Sequence, residues 1–209
     1  MMKLSTSEQK IANAEKEVKK LNDEGSLKDL TELEKQGIAK SYEQRSRNRM
    51  ETASLTFLYS SAAKKSQTNE VSQEYADYEE VVTASYYAMY YIVHAYLAKR
   101  YAKRLKENTY QVHAKTNHLV LYYLVKTKKL ATKLYEEYLK TMATAQIQKT
   151  IDDFQEEAFH YAEKYDKSRD ERETSTYNVE KNTEERHAKD ALATAQEFIT
   201  TIRGLMLDR

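Results

Sequence analysis

Five histidines and several clusters of cations are the residues of this chain whose types and spacing could do chemistry. His113 and His118 flank Lys115 around the end of a polar stretch, 107–117. Histidine beside basic residues serves as general acid, base or phosphate donor in RNA cleavage; the same residues also suit an ordinary loop and helix cap. Lys99, Arg100, Lys103, Arg104 and Lys106 place five cations within eight residues. Cations complement the partial negative charge at a helix C-terminus. Five exceed what capping requires, so a phosphate backbone is a second destination and plain solvation a third. The segment from Arg169 through Arg172 to Tyr177 and Asn178 combines two arginines, hydroxyls and a tyrosine, and reads as a charged interhelical loop at the mouth of a bundle. Arg45, Arg47 and Arg49 spread over more than one face and say less. His94 sits among tyrosines and reads as a hydrogen-bonded core histidine.

Two Glu-x-x-His pairs, Glu157/His160 and Glu184/His187, raise a carboxylate-bridged di-iron site, which four-helix bundles build from two such pairs and two single glutamates. The pairs lie 27 residues apart, which leaves no room for the intervening helix. Glu184 and Glu185 fall in a first helical turn, where acids complement the dipole. The apolar stripes supply no glutamate. The di-iron bundle therefore stands as a remote alternative, and the expected set contains no metal ligand and no cofactor.

The elements that must position these groups are helices. The 209 residues include no proline, no cysteine, no tryptophan and three glycines. This excludes a disulfide framework, a thiolate metal site and a glycine-rich phosphate loop. A sandwich or barrel would need more turn residues. No basic-plus-apolar leader pattern is visible, so the cytoplasm is the expected location. Formal net charge is +1, yet residues 99–149 carry net +9 and residues 150–209 net −6. A basic stripe could meet a phosphate backbone; opposed blocks could equally neutralise each other between packed helices.

Ser5 and Glu8 make a capping box for a first helix with Ile11, Ala14, Val18 and Leu21 on one face. Ser26 and Asp29 start a second piece with a stripe at Leu27, Leu30 and Leu33. A long helix is expected from Ile38 to about Ala63. Another, about 74–107, is apolar nearly all round and uncharged from Val81 to Ala98. Five tyrosines and His94 make lipid a poor host for it, so it is read as the buried centre, with a membrane span as the lesser alternative. A short apolar helix spans Leu119 to Val125. A stripe follows at Leu130, Leu134, Tyr138 and Met142, continued by Ile147, Ile151, Phe154, Ala158, Tyr161 and Tyr165. Asn182 and Glu185 have capping-box spacing for a last helix that buries Ala188, Leu192, Ala195, Ile199, Ile202 and Leu205 or Met206. The expected organisation is an N-terminal helical extension, 1–37, and an all-α four- to five-helix bundle, 38–209.

The run Ala84-Ser-Tyr-Tyr-Ala-Met-Tyr-Tyr91 with His94-Ala-Tyr-Leu97 resembles the second-helix signature of HEPN domains. Thr116-Asn-His118 with the following apolar segment, Arg172-Glu-Thr-Ser-Thr-Tyr177, and Ala191 to Ile202 resemble later family segments. The resemblance covers roughly residues 38–207. It implies a helical bundle that forms a homodimer, and in many members an endoribonuclease of toxin–antitoxin, antiviral or CRISPR-related systems, with a minimal nucleotidyltransferase antitoxin as the usual partner. The family motif is an arginine followed after four to six residues by histidine. Here Tyr177 stands in the histidine's place, an arginine-to-tyrosine form found in this branch. The resemblance assigns Arg172 to the scissile phosphate, Tyr177 to orienting it, and His118 or His113 to the missing base. Lys99, Arg100, Lys103, Arg104, His113, Lys115, Arg169 and Asn178 are the implied RNA contacts. The alternative is a non-catalytic module that binds RNA, a nucleotide or a partner protein.

Overall fold

The structure, a computed structural model, describes residues 6–61, 72, 75–131, 154–177 and 184–207, with the backbone alone of Thr6 and of 174–177. Helix α1, Thr6–Asp23, buries Ala14, Val18 and Leu21, and Gly25 then turns the chain with φ 65°, a left-handed conformation that costs glycine no Cβ clash. The sequence reading places a helical piece from Ser26. Instead Leu27–Asp29 form a strand, β1. Thr31 restarts the helix: its hydroxyl accepts from the Glu34 N–H at 3.3 Å, and the Glu34 carboxylate accepts from the Thr31 N–H at 2.9 Å. Helix α2, Glu32–Ser60, therefore starts before Ile38 and runs through Gly37 unbroken. Leu27 and Leu30 are buried, whereas Leu33 is 88% exposed, so the expected three-leucine stripe does not exist.

Helix α3, Tyr78–Tyr101, is capped by Asp77, whose side chain accepts from the Glu80 N–H at 3.0 Å. It ends six residues sooner than its composition suggests. Ala102 takes φ 50° in the left-handed region, and Lys103–Leu105 leave as strand β2. Antiparallel pairing joins β2 to β1, with Leu27 opposite Leu105 and Asp29 opposite Lys103. Burying Leu27 and Leu105 in the core stabilises by roughly 1.5–3 kcal/mol per side chain, more than one further helical turn offers.

Residues 107–117 are not simply a loop. Helix α4 spans Val112–Val120 and continues as a π-helical segment, Leu121–Lys126. Carbonyls of that segment find side-chain donors: Tyr101 Oη and Thr127 Oγ1 donate to Tyr123, and Gln155 Nε2 donates to Val125. Helix α5, Gln155–Tyr177, extends through the stretch expected to be a loop, and helix α6, Glu185–Leu207, completes the described chain. Helix α6 buries the expected Ala188, Ala195, Ile199, Ile202, Leu205 and Met206; Leu192 is half-buried, and Ala191 and Phe198 are buried too. The expected stripe from Leu134 to Ile151, and the caps at Ser5 and Asn182, lie outside the described residues.

The result is a mostly helical bundle around α3, with α2, α5 and α6 packed on it. The N-terminal stripe is buried in the same hydrophobic core as α3 and α6, while α1 lies across α4 and the π-helical segment. Lys10–Glu163 and Lys115–Glu17 ion pairs, at 2.7 and 3.8 Å, edge this interface, with Lys126–Glu15 beside them. Partly exposed pairs of this kind are worth about 0–1 kcal/mol each, so apolar burial holds α1 in place. Among the described residues no helix is long and apolar enough to cross a membrane.

Candidate functional site

The tyrosine-rich stretch of α3 gathers the site. Positions 86, 87, 90, 91 and 94 recur at spacings of three and four, so they share one broad helix face. Tyr86 is fully buried, while Tyr87, Tyr90 and Tyr91 are half-buried. Helix α2 runs antiparallel alongside: Ser46 Oγ donates to the Ala88 carbonyl at 2.8 Å. This register sets the Arg45 guanidinium 5.7 Å from the Tyr91 ring and 5.8 Å from Tyr42, and Arg49 5.5 Å from Tyr87.

From the opposite side, α5 delivers Arg172. Its guanidinium carbon lies 5.4 Å from the Tyr86 ring centre and 5.9 Å from Tyr87. The residue is 7% exposed, its Nε has no acceptor among the described residues, and its nearest carboxylate oxygen, on Glu173, is 3.5 Å away. Desolvated cation–π contacts contribute about 2 kcal/mol, which adds to the ion pair with Glu173 in holding this buried charge.

Helix α4 adds His113 to the same rings, 5.6 Å from Tyr86 and 5.7 Å from Tyr87. Its Nδ1 shares a 3.0 Å hydrogen bond with the Tyr86 hydroxyl. Burial, and secondarily the Arg172 charge, push the His113 pKa below the ordinary histidine range. His113 is therefore neutral at pH 7, as a base must be. His118, five residues further along α4, sits in a different setting. Burial lowers its pKa, while Glu17 and Asp166 oppose the shift. It faces α1 and the Asp166 side of α5, away from the tyrosine face.

His94 is buried as expected and is 4.4 Å from the Tyr90 ring. Thr116 Oγ1 donates its one proton to the Val112 carbonyl at 2.8 Å, so the 3.2 Å contact with His94 Nε2 has the imidazole as donor. Full burial pushes the His94 pKa down to about 3. His94 is a neutral packing element.

The residues expected to contact RNA fall into two groups. Lys99 lies 3.9 Å from Glu43, Lys103 2.8 Å from Asp29, Arg104 3.0 Å from Glu107, and Lys115 3.8 Å from Glu17. Lys103 and Arg104 stand on β2 and not on a helix end. Arg100 is exposed near the end of α3. Arg169 is ion-paired to Asp166 at 2.8 Å and to Asp170 at 2.7 Å. Of the expected RNA-binding residues that are described, His113 alone touches the rings under Arg172. Tyr177 ends α5, but its side chain, like Asn178, lies outside the described residues.

Glu157, His160, Glu184 and His187 are all exposed, so the two Glu-x-x-His pairs face solvent. No group of three metal-binding side chains occurs among the described residues. Sequence reasoning missed Tyr86, Tyr87, Arg45 and Arg49 as site residues. The available signal was the four-residue spacing shared by Arg45/Arg49 and Tyr87/Tyr91, which acquires meaning once α2 and α3 are paired. The chain matches no protein-family model, no curated protein and no solved structure.

Proposed function

We propose that this protein is a HEPN-like endoribonuclease that cleaves single-stranded RNA by attack of a 2′-hydroxyl on the adjacent phosphate, without a metal. The observation that carries the reading is the meeting of Arg172 and neutral His113 over the Tyr86 and Tyr87 rings. In the tautomer whose Nδ1–H is donated to the Tyr86 oxygen, Nε2 keeps its lone pair and accepts the 2′-hydroxyl proton. The new 2′-oxygen–phosphorus bond forms as the bond to the 5′-oxygen breaks, and that oxygen takes a proton from water. The products are a 2′,3′-cyclic phosphate and a 5′-hydroxyl. The Arg172 guanidinium neutralises charge growing on the phosphoryl oxygens. In this scheme His113 takes the base role in place of His118, and Tyr177 orients the phosphate. A homodimer pairing two copies of Arg172, and a nucleotidyltransferase partner, belong to the same proposal.

A second reading, an RNA-binding module without catalysis, is favoured by the burial of Arg172: its side chain is 8% exposed. One experiment separates the two. End-labelled single-stranded RNA is incubated with wild type, Arg172→Ala and His113→Ala, with and without chelator. The proposal expects chelator-resistant cleavage that leaves cyclic phosphate ends and disappears in both variants. Binding without cleavage selects the second reading. Cleavage unchanged in Arg172→Ala removes Arg172 from the site.

A further inference from the structure

Along the exposed margin of the α2–α3 pair, cations and rings alternate. Arg45 lies beside Tyr91, Arg49 beside Tyr87, and the buried Arg172 reaches Tyr87 from α5 at the inner end of the row. Tyr87 thus has a guanidinium from α2 and another from α5. Tyr90 lies next to both tyrosines, with ring centres 6.3 and 5.4 Å away. Arg45 and Arg49 are four residues apart, about 6 Å along the axis, which is the scale of one nucleotide step. Arg45 is exposed and has no carboxylate within ion-pair distance among the described residues. Two acids oppose the row, Glu80 at 3.3 Å from Arg49 and Glu173 near Arg172. Three guanidiniums against two carboxylates leave the row cationic.

We infer that this row is the binding track for the RNA strand, with Arg45 and Arg49 on successive phosphates leading to Arg172, and Tyr87 and Tyr91 holding the guanidiniums in place. The assignment rests on the reading of RNA as substrate and adds the residues that hold the strand outside the reacting phosphate. Half-buried tyrosine rings fix the guanidiniums, and contacts to the phosphate backbone tolerate any sequence.

The test uses the full chain and a fluorescent, mixed-sequence 2′-O-methyl oligonucleotide of about twelve nucleotides, within the span of known single-strand sites. This probe lacks the attacking hydroxyl, so binding is read apart from cleavage. Arg45→Ala/Arg49→Ala is expected to weaken binding at least tenfold. It should also flatten the dependence of log Kd on log salt by about 1.4, from ~0.7 for each phosphate that is no longer neutralised. Arg45→Lys/Arg49→Lys should keep most of the salt dependence, and matched melting curves verify that all variants fold. Tyr91→Ala should weaken binding with the salt slope unchanged. Unaltered binding in the double alanine variant overturns the track, even if wild type cleaves RNA. Equal affinity for an oligoglutamate peptide overturns it as well. Single-strand binding through this row without any cleavage keeps the track and removes the nuclease.

Discussion

The two ends of α3 are both rich in cations, yet their surroundings differ. At the C-terminal end, Lys99, Lys103 and Arg104 each have a carboxylate within 4 Å. Along the tyrosine face, Arg45, Arg49 and Arg172 lie against aromatic rings; Arg49 and Arg172 also have a carboxylate at 3.3 and 3.5 Å, and Arg45 has none among the described residues. A paired cation has most of its field cancelled nearby. Arg45, on a ring and without such a partner, keeps its field and gains a flat apolar neighbour. Charge density along the chain does not separate the two regions; what distinguishes them is what each cation faces.

The largest effect should come from Arg172. Its replacement by alanine is expected to slow RNA cleavage by about 100-fold or more, the scale of a missing charge-stabilising donor. Single-turnover cleavage at saturating enzyme measures this, and a loss of less than about threefold would place the chemistry elsewhere.

His94 gives the next effect, on stability. The unfolded chain protonates His94 below about pH 6.5. In the folded protein burial holds its pKa at about 3. Between those values the unfolded state binds more protons, so stability falls as pH falls, by on the order of 1 kcal/mol per pH unit. Above pH 6.5 this residue contributes no pH dependence. His94→Gln keeps a donor for Thr116 and removes the titration. Its melting temperature should drop less than wild type between pH 7 and about pH 4.5; identical drops would show that His94 is not held neutral.

Tyr86→Phe removes the hydrogen bond to His113. The expected loss in kcat/KM is about three- to tenfold, matching a net hydrogen-bond contribution near 1 kcal/mol. The wild-type rate should rise with pH along a limb set by His113, below the ordinary histidine value because burial and Arg172 disfavour its charged form. In the variant that limb should move; an unmoved limb makes Tyr86 a packing residue only.

The smallest effect belongs to the other end of α3. Lys99→Ala/Lys103→Ala should change RNA affinity by less than about twofold, since both cations are already paired. A tenfold loss would move the RNA track to the β2 end and reverse the comparison.

Much of the helical architecture is legible in the residues. The stripes of α1 and α6, the apolar centre at α3 and the burial of His94 follow from spacing and from the cost of exposing apolar or leaving polar groups unpaired. The segment 27–29 is different. Its leucines fit helical spacing, and its strand depends on β2, more than 70 residues away. Likewise 107–117 and 166–177 are rich in the polar residues of loops, but packing of α4 and α5 against α3 makes most of them helical.

What the chain determined by itself is which stretches must be helical and buried, because periodicity of three to four and a lack of turn residues are local properties. The tertiary structure decided which cations meet carboxylates, which face rings and which do both. That choice depends on the antiparallel register of α2 on α3 and on α5 bringing Arg172 to Tyr86. Coulomb and stacking energies act over a few ångströms of space, and separation along the chain does not encode that distance.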